Sequence, residues 1–130
     1  MLLDTRSSRI DRIKRRRDFL AAASANRKWA MPGMVVQVRK RRENESGGAL
    51  IRVGFTTSKK VGNAVARNRA RRRLRACADE IIPASAAAGL DIVLIGRTAT
   101  LARSFEDLKA DLVRCLKKLD ALAPEAGSVH

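Results

Sequence analysis

Six arginines fall within nine consecutive positions, Arg67, Arg69, Arg71, Arg72, Arg73 and Arg75, and the apolar residues between and after them keep a helical spacing. At about 100° per residue, Ala66, Ala70, Leu74, Cys77, Ala78 and Ile81 share an arc of roughly 120°. The segment reads as a helix that opens at Asn63 as its cap, after a glycine turn at Gly62, runs to about Glu80 and stops before Pro83. Its narrow stripe of small apolar groups packs on a sheet. Asn68, Arg69, Arg71, Arg72, Arg73 and Arg75 take the rest of the circumference, and Arg67 borders the stripe.

Such a surface is locally unfavourable. Arg67/Arg71 and Arg71/Arg75 are like-charge pairs four apart, Arg69/Arg72 and Arg72/Arg75 are pairs three apart, and each costs a few tenths of a kcal/mol. A merely solvated helix face mixes both signs of charge, so this one needs an external polyanion. The whole chain is biased the same way. Of its 28 Lys and Arg and 13 Asp and Glu, residues 1–75 hold 22 bases and 5 acids, a net +17, and residues 76–130 hold 6 bases and 8 acids, a net −2. Phosphate backbone is the commonest such polyanion and a membrane surface the other candidate; arginine in place of lysine adds two-pronged phosphate contacts and stacking on bases.

The remaining composition narrows the function further. The longest mostly apolar stretch, IIPASAAAGLDIVLI, is interrupted by Pro83, Gly89 and Asp91 and falls short of the ~20 residues of a membrane span. Asp4, Asp11 and Asp18 argue against an acid-poor transit peptide, and the N-terminus lacks the apolar core of a signal peptide, so a cytoplasmic location is expected. Cys77 and Cys115 have no paired Cys or His ligands nearby and read as small buried apolar residues in a reducing compartment. The single histidine is His130, and tyrosine is absent. General acid–base or nucleophilic chemistry by the chain itself therefore has poor candidates.

A chain of 130 residues suits a single domain. The basic opening reads as an arm over residues 1–15, leading into a first helix at about 17–26 whose apolar face is Phe19, Leu20 and Ala23. Pro32-Gly33 breaks the chain. Segments 34–39 and 50–57 are strand-like, with Ile51, Val53 and Phe55 on one face, and are expected to pair as a hairpin across the charged connection KRRENESGG. The wholly apolar run at 92–95 reads as a strand buried on both faces. A last helix follows, with Ser104 and Asp107 resembling a capping box and Leu108, Leu112, Cys115, Leu116, Leu119 and Leu122 as its inner face. Its outer face carries mixed charges, Asp111 among them. The tail from Pro124 looks frayed. Helix, strand, strand, helix, strand, helix, with room for another short strand in the basic loop or near residue 57, suggests an α/β sandwich of one sheet and packed helices.

Read from slightly earlier, SKKVGNAVARNRARRRLR (58–75) closely resembles the signature segment of the bacterial ribonuclease P protein subunit: a lysine-rich turn, Gly-Asn, then Arg-Asn-Arg opening a basic helix. RIKRRRDF before the first helix, VGFTTSKK, DIVLIGR and the closing amphipathic helix extend the resemblance over about residues 9–120. It implies a single α/β (α+β) two-layer sandwich of order αβββαβα, ribosomal-protein-like, spanning residues 16–122 between the arm and a flexible tail at 123–130. It also implies a left-handed βαβ crossover at the basic helix, against the usual right-handed preference.

The resemblance further implies a function. The protein would pair with a large catalytic RNA that removes the 5′ leader of precursor tRNA, the RNA performing the chemistry with Mg²⁺ bound mainly by itself, and no catalytic residue or metal ligand on the protein. By position, Lys59, Lys60, Arg67, Asn68, Arg69, Arg71, Arg72 and Arg75 would contact the catalytic RNA. Arg12, Lys14, Arg15, Phe19, Met34 and Gln37 would contact the leader, in a cleft between the first helix and the sheet. Ala23, Met34 and Gln37 stand where relatives often carry an aromatic, so stacking on leader bases should be weaker and the basic arm should carry more of the contact. On its own spacing Phe19 reads equally as a core residue of the first helix, and Trp29 as core or rim packing. Precursor tRNA and the catalytic RNA are the partners implied, with no protein partner and no membrane. The alternatives are a non-catalytic ribosomal or chaperone-like RNA-binding protein and, with less support, a DNA-binding architectural protein, since no helix-turn-helix or dimer zipper is visible.

Overall fold

The computed structural model describes residues 10–42 and 48–124. Its regular elements are β1 (Ile10–Arg12), α1 (Arg16–Ser24), β2 (Lys28–Met31), β3 (Met34–Lys40), β4 (Ile51–Thr57), α2 (Ala64–Ser85), β5 (Leu90–Gly96) and α3 (Phe105–Lys118). From α1 onward this is the order αβββαβα. The strands form one five-stranded sheet in the order β1-β4-β5-β3-β2.

Alternation along the strands divides the core in two. Met34, Val36 and Val38 of β3, Ile51 and Val53 of β4, and Ile92 and Leu94 of β5 face α2 and α3, where they meet Leu74, Ile82, Leu108, Leu112 and Leu116. The opposite face carries a smaller cluster, Ile13, Ala22 and Val93 with Phe19 and Ile95 against it. The central strand β5 is thus buried on both sides, as a run of uninterrupted apolar residues requires.

The expected hairpin of residues 34–39 with 50–57 is not formed. β5 lies between the two, antiparallel to β3 with Val36 opposite Leu94, and parallel to β4 with Phe55 opposite Leu94. The hairpin partner of β3 is β2, in which Met31 pairs with Met34 across the tight turn at Pro32-Gly33. β2 was missed because Lys28, Trp29 and Ala30 are exposed on an edge strand and show no apolar alternation. The other additional strand, β1, falls within the expected arm, where Ile10 to Arg12 pair in parallel with Ile51 to Val53 and Ile13 is buried. The extra strands therefore lie at 10–12 and 28–31, not in the basic loop or near residue 57.

Helix boundaries follow local chemistry with three departures. In α1 the sheet-facing residues are Phe19 and Ala22, while Leu20 is 52% exposed and Ala23 is also exposed. In α2 the Asn63 side chain caps the helix, Oδ1 accepting from the Ala66 amide at 3.0 Å. That helix continues through Pro83 to Ser85, beyond the expected stop. Proline costs a hydrogen bond there, but the final turn is held from outside: the Ala87 amide donates to Ala121 and the Ala123 amide to Ser85. In α3 Ser104 caps as expected, accepting from the Asp107 amide at 3.0 Å, but Leu122 lies beyond the helix, in a bridge to Ala86.

Asp111, expected on the solvated face of α3, is buried instead. Its carboxylate accepts from Arg103 Nε at 2.6 Å and from the Gly33 amide at 3.0 Å, tying α3 to the β2–β3 turn. Gly33 leaves the space for that docking, because a Cβ there would lie 2.5 Å from Leu108 Cδ2. Of the tail expected at 123–130, Ala123 is tied to the fold by its amide bond to Ser85, and residues 125–130 lie outside the described residues.

Candidate nucleic-acid interface

α2 docks through Ala70, Leu74, Cys77, Ala78 and Ile82, all buried, and its other faces carry the arginines. Ile82 replaces the expected Ile81, which is only partly buried. Asn68, Arg69, Arg72 and Arg75 are exposed, and Arg67 and Arg71 half-buried. Arg71 donates to the Asn68 side chain, which fixes both groups on one surface. Among the described residues no carboxylate pairs with any of these arginines. Arg73 differs from its neighbours: its guanidinium donates to the Arg103 carbonyl beside α3, so it serves packing and leaves the outer face.

Lys59 and Lys60 lie just before α2 in a single 3₁₀ turn, Lys59–Val61, and both are exposed. Ser58 caps this turn, its Oγ accepting from the Lys60 amide at 3.2 Å. Gly62 then takes φ 137°, a backbone state that favours glycine, and turns the chain into α2. Of the eight residues expected to meet the catalytic RNA, Asn68, Arg71, Arg72 and Arg75 line one groove, while Lys60 lines another with Ser58, Arg97 and Thr98.

The residues expected at the leader are divided. Arg12, Lys14 and Arg15 are exposed and line a groove of about 470 Å³ with Arg17, Arg52 and two carboxylates, Asp11 and Asp18. Phe19 is half-buried between α1 and the sheet, packed over Gly54, where a Cβ would lie 2.6 Å from its ring. Gln37 is half-buried on the sheet face turned to α1. Met34 does not belong with them. It is fully buried on the opposite face, within the α2/α3 core, and its side chain cannot reach a ligand in the cleft. One position along a strand reverses the face, and Val35 takes the cleft side in its place.

Arg12 also faces a second groove, of about 350 Å³, lined by Phe55, Asn68, Arg71, Arg72 and Arg75. The basic surfaces of the arm and of α2 therefore meet at Arg12. The guanidinium carbons of Arg12 and Arg75 stand 5.7 and 6.0 Å from the centroid of the Phe55 ring. Phe55 was missed as a site residue. Its signal was its place in VGFTTSKK, at the end of β4 on the side that receives α2.

Beneath the arm, Asp91 is fully buried on the α1 side of β5 and accepts from Arg52 Nη2 at 2.7 Å and Arg41 Nη1 at 2.7 Å, with Arg39 at 3.3 Å. Burial alone would raise its pKa, but the hydrogen bonds from Arg52 and Arg41 and their charges outweigh burial and hold it below the usual carboxylate value. Those bonds to Asp91 in turn raise the Arg52 pKa. Arg52 also reaches Asp18 of α1 at 3.5 Å, and Arg41 donates to the Gly48 and Leu50 carbonyls. Asp91 thus fastens β4 to the β3–β4 connection, and Arg52 carries the tie on to α1 through Asp18. Both cysteines are buried and unpaired, as expected, and burial pushes the Cys77 thiol up to about 11 and the Cys115 thiol to about 12.

A single α/β domain presenting a guanidinium surface on one helix, joined by a basic N-terminal segment, defines a nucleic-acid-binding protein. The comparisons make it specific. The Ribonuclease P family pattern matches residues 8–120. The ribonuclease P protein component of Paramagnetospirillum magneticum is 50% identical over 116 residues, 89% of this chain and 87% of that protein. That of Ruegeria pomeroyi is 54% identical over 119 residues, 91% of this chain and 93% of that protein. Among solved structures, the RNase P protein of Staphylococcus aureus superposes with a TM-score of 0.68 at 27% identity, covering 85% of this chain and 95% of that one. The RNase P protein from Thermotoga maritima gives 0.67 at 27% identity, covering 83% and 96%. The chain belongs to the ribonuclease P protein family, and with it to tRNA 5′-end processing as the protein part of a ribonuclease with an RNA partner. Among the described residues no helix is long and apolar enough to cross a membrane.

Proposed function

We propose that this protein binds the catalytic RNA of ribonuclease P through α2 and the preceding turn, and the 5′ leader of precursor tRNA through its basic N-terminal segment and the α1 side of the sheet. The observation that carries this reading is the arginine face of α2, which stays free of carboxylate partners among the described residues although Arg73 within the same run is tied down. Free energy lost to like-charge repulsion on the helix is recovered when RNA phosphates dock and counterions are released. The leader side is supported by the groove of Arg12, Lys14, Arg15 and Arg17, with Phe19 beside the sheet. It offers charge and one aromatic, so backbone contacts dominate over stacking there.

In this reading the RNA carries out the cleavage and the protein supplies binding. Mg²⁺ suits phosphodiester hydrolysis, but the donor set among the described residues does not fit a resident ion. Among the described residues no three His, Cys, Asp or Glu converge, and the buried carboxylates of Asp91 and Asp111 are already bonded by arginines. In this reading the metal is held mainly by the RNA phosphates. The decisive experiment is precursor-tRNA cleavage at low Mg²⁺ with RNA alone, protein alone and both. Activity only in the mixture is the expected result, and leader removal by the RNA-free protein would overturn the assignment of the chemistry to RNA.

A further inference from the structure

The groove beside α2 is half of a larger feature. Arg12, Phe55 and Arg75 line the basic groove and also a second hollow of about 260 Å³, whose other lining is Ile10, Val53, Ala78 and Asp79. The two guanidinium groups over the Phe55 ring therefore stand between a cationic compartment and a mostly apolar one. Val53 and Ala78 are buried and give the second compartment a dry floor. At its rim is a single carboxylate. Asp79 is exposed and has no cation partner among the described residues. Arg75, one turn earlier on the same face of α2, would ordinarily pair with it, yet Arg75 lies over Phe55.

We propose that this double hollow holds one unpaired RNA nucleotide, its phosphate on Arg71 and Arg72 and its base toward Asp79, with guanine preferred. The proposal rests on the RNA-binding reading above and adds to it a base-selective position. Phosphate is matched by the cationic side, where the Asn68 amide and the guanidiniums offer donors. A base fits the other side because Phe55 holds two flat guanidinium planes on which a nucleobase stacks. The carboxylate then selects the base. Guanine presents two adjacent N–H donors that match both oxygens of Asp79, whereas uracil presents one N–H between two carbonyl oxygens that the carboxylate repels. In a duplex that guanine edge is consumed by pairing, so the nucleotide must be single-stranded.

The test uses the full chain and three labelled pentanucleotides, UUGUU, UUUUU and UUUUU with an abasic central position, followed by fluorescence anisotropy at fixed low salt. The wild-type protein should bind UUGUU about tenfold more tightly than UUUUU. Asp79→Asn should erase that preference by weakening UUGUU, while UUUUU binds as before or slightly better because a negative charge is gone. If Asp79→Asn instead strengthens both equally, Asp79 is only a repulsive surface charge and the proposal fails. Phe55→Leu, checked for folding by its melting curve, should narrow the gap between UUUUU and the abasic strand, and an unchanged gap in the folded variant counts against the stacking arrangement. A parallel cleavage assay separates the two readings. Wild-type protein that restores precursor-tRNA cleavage but shows no base preference leaves RNA binding standing and removes the nucleotide site. Protein that neither restores cleavage nor binds the catalytic RNA removes both.

Discussion

Reversing Arg69 and Arg72 to glutamate separates what α2 does for the fold from what it does for RNA. Both side chains are exposed and make no ion pair among the described residues, so no packing is lost. Along the helix, Arg72/Arg75 and Arg69/Arg73 change from repulsive to attractive pairs, and the 69/72 pair stays like-charged with its sign reversed. At about 0.2–0.5 kcal/mol per pair in each direction, the folded state should gain on the order of 1–2 kcal/mol, and the melting temperature should hold or rise. RNA binding should move the other way. Two phosphate contacts account for about 1.4–1.8 in the slope of log affinity against log salt, and that much should vanish. Placing two carboxylates against phosphates adds repulsion, for a loss on the order of 100-fold or more. Salt titrations of catalytic RNA binding, with cleavage at low Mg²⁺, read both effects. Leu74→Asp is the complementary change: Leu74 is fully buried in the stripe of the same helix, and an unpaired carboxylate there should unfold the domain. A double glutamate variant that folds, keeps the wild-type salt slope and restores cleavage would refute the assignment of this face to RNA.

Phe19→Ala should weaken precursor tRNA binding while leaving mature tRNA binding nearly unchanged, and should cost about 2 kcal/mol of stability because the ring is half-buried over Gly54. Equal loss for both tRNAs would reduce Phe19 to packing. Because the Asp91 carboxyl is held below its ordinary value, its contribution to stability is complete above the unfolded carboxylate pKa of about 4 and is lost as pH falls through the lower folded value. Urea midpoints should therefore drop steeply on acidification below that point, and a flat acid limb would count against the arginine cluster. Cys77 and Cys115, with thiols raised to about 11 and about 12, should resist alkylation at pH 8 in the native protein and react once urea unfolds it. Rapid labelling of the native chain, followed by mass spectrometry, would contradict their burial.

What the sequence determined by itself were the features written in local periodicity and capping. The stripe of α2, the Asn63 and Ser104 caps, the alternation of Ile51, Val53 and Phe55 and the doubly buried β5 depend on neighbours a few residues apart, and each was legible. The arginine face was legible for the same reason, since helical spacing places charge and apolar groups on opposite sides. Tertiary structure decided which strands are neighbours. Apolar alternation in residues 34–40 and 51–57 states that both strands have an inner face, but their insertion on either side of β5 is a choice among long-range pairings of similar local quality. It also decided which face is which: Met34 went to the core and Gln37 to the cleft because adjacent strands fixed the register. Charges were the least legible. In the sequence Asp111 reads as solvated, Arg73 as part of the outer arginine face and Asp91 only as the edge of an apolar run, yet all three are buried or tied down in the fold, since their partners Arg41, Arg52 and Arg103 lie 8 to 50 positions away. A charge is buried only where a distant partner offsets its desolvation, and that partner exists only once the chain has folded.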